Sequence, residues 1–262
     1  MLQSRKIHIY IAAVLAMIFW GMSFIWTSIV FEYLPPISTI FLRLVISSVF
    51  LFLIMALTGY LRKIRRKHVV LLLASALFNP FLYFLGENFG LKYSTASTSA
   101  VLIAIIPVVT PVVAWLFIKE KISRLNIFGI LISFSGILIM IINPDFSFAT
   151  DPKGIALLLL AVFSAVIYSI FLKMLTAHYN PVNIIAWQNL VGAVLFLPLF
   201  LYIDFDVILT VKPDARLVYA LISLAVLASS LAFILFAFVI KKLGVNRANV
   251  YGNLIPVVTV FA

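Results

Sequence analysis

Polar side chains stranded in apolar sequence are where this chain could do chemistry. Arg43 stands inside an otherwise apolar run that opens at Pro36. Asn79, Tyr83 and Glu87 recur at i, i+4 and i+8, which puts all three on one face of a helix. Trp187, Gln188 and Asn189 interrupt a later run, and Asn246, Asn249, Tyr251 and Asn253 stand just before Pro256 in the last one. Trp20 and Phe24 form an i, i+4 aromatic pair, and Tyr168 lies alone among apolar residues. An arginine at the middle of a membrane helix costs about 2.5–3.5 kcal/mol on insertion scales, so groups of this kind face partners or a wet interior. Their chemistry is recognition. Amides hydrogen-bond, and aromatic faces stack on rings or hold organic cations. Arg43 has three readings: it snorkels to a surface, pairs with an acid, or meets an anionic group of a solute. Glu87 sits at a depth from which it could reach Arg43. Asn79, Tyr83 and Glu87 are therefore either an ion pair plus an interhelical amide or one polar wall of a transport path.

Catalysis finds no support. The sequence has no glycine-rich phosphate loop, no metal-spaced histidines and no nucleophile with a nearby base. Cysteine is absent, which excludes disulfides, thiol chemistry and cysteine metal sites. His8, His68 and His178 are far apart and fall at segment ends, so they read as interfacial residues. No cofactor and no metal are expected, and ATP-driven work would need another subunit.

The elements that must position these residues are membrane helices. The chain is 65% hydrophobic and 10% charged, with a mean hydropathy of +1.23, against about 45–50% apolar and 25% charged in soluble domains. Nine apolar runs are long enough to be spans: about residues 8–30, 36–58, 69–89, 94–118, 123–142, 154–176, 181–203, 216–240 and 246–262. Turn residues separate them, including Pro35-Pro36, Thr58-Gly59, Asp151-Pro152 and Asn180-Pro181. The first run follows Arg5 and Lys6 as a signal peptide would, but it is too long for a signal's apolar core and reads as a retained helix. Trp26 and Trp115 fall near span ends, where tryptophan belts sit, whereas Trp20 and Trp187 lie deeper.

The net charge of +11 is a topology signal. With the N-terminus in the cytoplasm, the inner ends hold Arg5 and Lys6, the cluster from Arg62 to Lys67, Lys119, Lys121 and Arg124, then Lys173, Lys241, Lys242 and Arg247. The outer ends hold Lys92, Lys153, Lys212 and Arg216 together with most of the acids. That bias predicts a cytoplasmic N-terminus and accounts for the basic charge without nucleic acid.

The chain repeats itself. Ile106-Pro-Val-Val-Thr110 recurs as Ile255-Pro-Val-Val-Thr259 at an offset of 149, which also aligns Phe89 with Phe238 and Val101 with Val250. Pro36 and Pro181 open the second and seventh spans at an offset of 145, which sets Gln188 against Arg43. Five spans is an odd number, so the second repeat enters the membrane from the opposite side. Secondary transporters use such inverted repeats, with the solute site near the midplane between the halves. Pro107 and Pro256 are the expected helix breaks beside that site.

Residues 92–123, KYSTASTSAVLIAIIPVVTPVVAWLFIKEKIS, are similar to the fourth-helix signature of EamA-type carriers of the drug/metabolite transporter superfamily. Residues 122–141, ISRLNIFGILISFSGILIMI, resemble the fifth helix of that repeat, and FLRLVISS around Arg43 resembles its second. The resemblance implies two five-helix repeats, cytoplasmic termini and a role for Arg43 shared across the family.

The expectation is an all-α integral membrane protein with an inverted repeat of 5+5 transmembrane helices. Nine are present and the tenth is missing. Residues 1–143 form the first repeat, and 152–262 the second, truncated within its fourth helix. The function expected is non-ATP-driven export of small organic metabolites, amino acids or drugs by alternating access, at a cell membrane of a prokaryote-like cell. The partners expected are a small organic solute and the lipid bilayer. The alternatives are a nucleotide-sugar or sugar-phosphate carrier of the same superfamily and a non-transporting scaffold. Gly86 and Gly90, and Gly129, Ser133 and Gly136, read as close helix contacts.

Overall fold

The computed structural model describes residues 4–118, 127–129, 131–132, 135 and 150–262. Every regular element among them is helical: α1 (Ser4–Phe31), α2 (Pro36–Thr58), α3 (Arg66–Lys92), α4 (Ala96–Ile103), α5 (Ile106–Ile118), α6 (Pro152–Thr176), α7 (Pro181–Thr210), α8 (Ala215–Leu243), α9 (Val245–Asn249) and α10 (Leu254–Phe261). Among the described residues, 7 segments are long and apolar enough to cross a bilayer. The expected fifth span, 123–142, and its Ser133 and Gly136 contacts lie largely outside the described residues.

Helix ends follow local chemistry. Proline opens α2, α6 and α7, where its missing N–H has no partner to lose. Asp151, Asn180, Asp214 and Thr95 cap the helices that follow them through side-chain oxygens. The first turn of α2 has no cap of its own. Instead the buried Asp204 carboxylate of α7 accepts from Ser38 N at 2.9 Å and Ser38 Oγ at 3.1 Å, a negative group at a helix N-terminus. Gly59 ends α2 at φ 69°, the left-handed conformation that glycine adopts without strain.

Pairing shows the repeat. The face holding the start of α1 is called here the near face. The far face then carries the α1–α2 link. Along the antiparallel pair α2 and α7, Ser38 meets Asp204, Phe41 stacks on Phe200, and Asn189 bonds Ser47. Antiparallel α1 and α8 meet through Glu32 with Arg216 and Trp20 with Ala228. The equivalent pair, α3 and α6, meets through Gly90 against Leu158 and Gly86 against Ala161. Parallel to α1 runs α10, with Gly21 under Val258, and α5 packs likewise on α6. Exchanging α1–α5 with α6–α10 returns the same set of neighbours with every direction reversed. That is an inverted repeat.

The helices approach closely where glycine allows it. A Cβ on Gly86 would stand 2.5 Å from Leu157 O, and Gly192 of α7 leaves the space that the Pro80 ring fills. Trp26 is not in a lipid-facing belt: it is buried with Val30, Leu217 and Leu224 between α1 and α8, while Trp115 is exposed.

Several helices are interrupted. Asn79 has extended dihedrals (φ −147°, ψ 120°) inside α3, because the ring of the following Pro80 clashes with a helical residue before it. A wide π-helical turn runs over Leu224–Ala232 of α8, the place in the second half that corresponds to the kink within Leu77–Leu82 of α3. Pro107 lies in the first turn of α5 and Pro256 in that of α10. The breaks stand just ahead of these prolines, at Ala104–Ile105 and at the 3-10 turn Val250–Asn253. They face each other, since a Cβ on Gly252 would come 3.8 Å from Pro107 Cδ.

Candidate functional site

These interruptions surround a narrow cavity of about 40 Å³, room for water-sized molecules and well below the roughly 300–1,000 Å³ of small-molecule sites. The first half contributes Met17 and Trp20 from α1, Asn79 and Tyr83 from α3, and Ile103 and Ile106 beside the α4–α5 break. The second half contributes Ala165, Tyr168 and Ser169 from α6, Phe233 and Phe236 from α8, and Asn249, Gly252 and Ile255 around the α9–α10 break. Among the described residues no charged side chain lines it.

Each polar lining group has a defined setting. Trp20 Nε1 donates to Ala228 O at 3.3 Å, and its ring meets Phe233 and Phe236 edge-on at 4.9 Å each. Tyr168 Oη donates to Gln188 Oε1 at 3.3 Å, and Gln188 Nε2 donates to Ser75 Oγ at 2.6 Å. Asn249 Nδ2 donates to Thr110 Oγ1 at 3.0 Å and Ser169 Oγ at 3.3 Å. Asn79 is 5% exposed, and among the described residues no side-chain or backbone group hydrogen-bonds its amide.

Behind Tyr83 lies a buried charge pair. Tyr83 Oη donates to Glu87 Oε1 at 2.8 Å, and Glu87 Oε2 is 3.9 Å from Arg43 NH1. That distance is a charge contact, and Arg43 NH1 has no hydrogen-bond partner among the described residues. Arg43 Nε donates to Ser229 Oγ at 2.8 Å, and the guanidinium lies 4.2 Å over the Phe84 ring. Next to it, Asn189 Nδ2 donates to Ser47 Oγ at 2.7 Å and to Ser229 O at 2.9 Å.

Of the residues singled out in sequence, Trp20, Asn79, Tyr83, Tyr168 and Asn249 line the cavity. Glu87 stands one hydrogen bond behind Tyr83, and Gln188 one behind Tyr168. Arg43 and Asn189 sit deeper in the α2–α7–α8 seam. Phe24 is packed in the core at 2% exposure. Trp187 turns to the near face, where Nε1 donates to Arg62 O at 3.1 Å and the ring meets Phe52. Tyr251 lies in a separate recess with Tyr10 and Arg247, and Asn253 is exposed. Pro107 and Pro256 border the breaks without lining the cavity.

The sequence profile of the EamA-like transporter family matches residues 7–142 and 152–262. The chain belongs to the EamA-like transporter family.

Curated relatives of this EamA-like protein are named as transporters. One from Archaeoglobus fulgidus, called an uncharacterized transporter, is 26% identical over 253 residues, covering 97% of this chain and 88% of its own length. The uncharacterized transporter YetK of Bacillus subtilis is 24% identical over 264 residues, covering 98% and 78%. A solved crystal structure superposes with a TM-score of 0.76 at 16% identity, over 97% of this chain and 87% of that one, a likeness of fold. The protein is therefore a multi-pass membrane transporter of the EamA-like family.

Sequence reasoning missed Ser169, Phe233 and Phe236 as lining residues. The two phenylalanines carried no signal, since nothing separates them from the other aromatics of α8. The Asn79-Pro80 dipeptide inside a span was a readable sign of the α3 break. The stacked rings of His68 and His178, 4.4 Å apart at the near face, join residues distant in sequence.

Proposed function

We propose that this EamA-like protein is a secondary carrier, driven without ATP, that exports small organic solutes by alternating access. The repeats 1–143 and 152–262 rock about the cavity between them, with the N-terminus on the cytoplasmic side of a cell membrane. The observation that carries the reading is the cavity itself. It lies at mid-length of α1 and α3, is walled by both halves, and is bordered by a helix break from each. Breaks of this kind let one wall move without unfolding the rest. Trp20, Asn79, Tyr83 and Tyr168 are the solute-contacting residues of this proposal. Arg43, Glu87, Gln188 and Asn189 are the groups that hold the walls in register.

A phosphate-bearing solute fits less well. Such a ligand would need a basic group in the cavity, and Arg43 is covered by Phe84 instead. A scaffold would not need an uncommitted amide there. Single cysteines at Asn79 and Asn249 of this cysteine-free chain test the carrier reading. In sealed vesicles both should react with membrane-impermeant maleimide, and Asn79→Cys should be protected by a transported solute. Uniform inertness from both sides of the membrane would sink the carrier and favour the scaffold.

A further inference from the structure

The proton count of the cavity decides what kind of solute it takes; this step rests on the carrier reading above. Nearly every N–H and O–H at its wall is already spent on protein. The indole N–H of Trp20 goes to Ala228 O, the Tyr168 hydroxyl to Gln188, and the Ser169 hydroxyl to Ala165 O at 2.9 Å. Both amide hydrogens of Asn249 go to Thr110 and Ser169. The Tyr83 hydroxyl gives its one proton to Glu87. What remains toward the space is acceptor: the lone pairs of Tyr83 Oη and Tyr168 Oη, and Asn249 Oδ1, which is without a donor among the described residues. Asn79 adds the one amide of the lining whose N–H and C=O are both uncommitted among the described residues.

Charge points the same way. The Glu87 carboxylate is one hydrogen bond from the cavity, while the Arg43 guanidinium lies beyond it, 3.9 Å from Glu87 and under Phe84. A solute in the cavity is thus nearer to the negative partner of the pair than to the positive one. The rings of Trp20, Phe233 and Phe236 line the same space, aromatic surface of the kind that suits a cation on a flat apolar body.

We infer that the solute is an organic cation carrying N–H donors, a protonated amine or amidine on an aromatic frame, and that Tyr83 reads its N–H. Glu87 acts through Tyr83 as a positioning residue: by taking the phenol proton it leaves Tyr83 Oη an acceptor. A neutral isostere loses the charge-assisted bond, and an anion meets lone pairs in place of donors.

Three matched probes of one shape test this on the full chain in nanodiscs: phenethylamine, 2-phenylethanol and 3-phenylpropionate. Binding is read by isothermal titration and by Trp20-dependent fluorescence. Phenethylamine should bind more tightly than the alcohol by about tenfold or more, and the carboxylate should not bind over the same range. Tyr83→Phe should shrink the amine-over-alcohol ratio to about threefold or less. If that variant does not elute as folded protein, the wild-type ratios decide alone. Equal or tighter binding of the alcohol or carboxylate overturns the inference, as does no amine binding at all. Failure here with Asn79→Cys still labelled leaves the carrier standing and removes only the solute class. An inert Asn79→Cys removes both.

Discussion

Replacing Arg43 by methionine should be among the costliest single changes in this protein, and most of the cost should vanish when Glu87 is changed with it. Arg43 is 1% exposed and its NH1 lies 3.9 Å from Glu87 Oε2. At an effective dielectric constant of about 20, two unit charges at that distance attract by about 4 kcal/mol. Removing one partner of a buried pair strands the other, at about 3–5 kcal/mol. Arg43→Met also frees Ser229 Oγ of its donor. Glu87→Gln keeps an acceptor for Tyr83 but leaves the guanidinium uncompensated. The double variant carries neither charge, and methionine fills much of the arginine stem's volume, so a coupling of about 2–4 kcal/mol is expected between the two sites. The measurement is a double-mutant cycle on unfolding by SDS in mixed micelles, followed by tryptophan fluorescence. A coupling below about 0.5 kcal/mol, the level of additivity for independent sites, would show that the pair is an accident of proximity.

Gly86→Ala should destabilise by about 1–3 kcal/mol in the same assay, because its Cβ would press on the Leu157 carbonyl at 2.5 Å and neither backbone can yield alone. Asn189→Leu should cost about 1–3 kcal/mol through the stranded Ser229 carbonyl, and a neutral result would mean that Ser47 and Ser229 find other donors. At the far face, the Leu217 N–H and then the Tyr33 hydroxyl hold the Asp214 carboxyl below the ordinary carboxylate range. A depressed folded pKa stabilises above the unfolded value, about 3.9, and the gain is lost as pH falls through the folded one. The unfolding midpoints of wild type and Asp214→Asn should therefore differ at about pH 7 and converge toward about pH 3; a gap that widens in acid reverses the sign of the argument. Solute flux into vesicles should respond little to an imposed pH gradient, since Glu87 is held in its pair with Arg43. Strong acceleration that survives Glu87→Gln would refute that account of coupling.

The fold was legible wherever the sequence pattern reflects cost. A charge or amide inside an apolar run is expensive, so Arg43, Asn79, Glu87 and Gln188 announced themselves, and the distance between Arg43 and Glu87 agrees with the depth read from their spans. The spacing of the Ile-Pro-Val-Val-Thr copies was enough for the inverted repeat, because odd spans leave no other sense for the second half. Side-chain direction was less legible. Trp20 and Phe24 share a helix face, yet Trp20 meets the cavity and Phe24 the core, since the face is wider than the opening. Asn249 and Asn253 were spaced for one α-helical face. The 3-10 turn between them advances four residues by about 120° beyond a full turn, where an α-helix advances about 40°, and Asn253 swings outward. Such a change of winding leaves no mark in apolar periodicity.

The π-helical stretch Leu224–Ala232 in α8 has a bearing on where aromatic rings end up. A π turn holds about one residue more than the α turn it replaces, so it offsets the angular position of everything after it by about 100°. Phe233 and Phe236 come immediately after, and both face the cavity. Trimming one residue from that stretch would leave the helix whole, its length nearly the same and its hydropathy untouched. It would also swivel those two rings off the cavity and bring other side chains round in their place. The winding of α8 thus sets which of its side chains reach the cavity, and a single-residue insertion or deletion would change that set without substituting any residue.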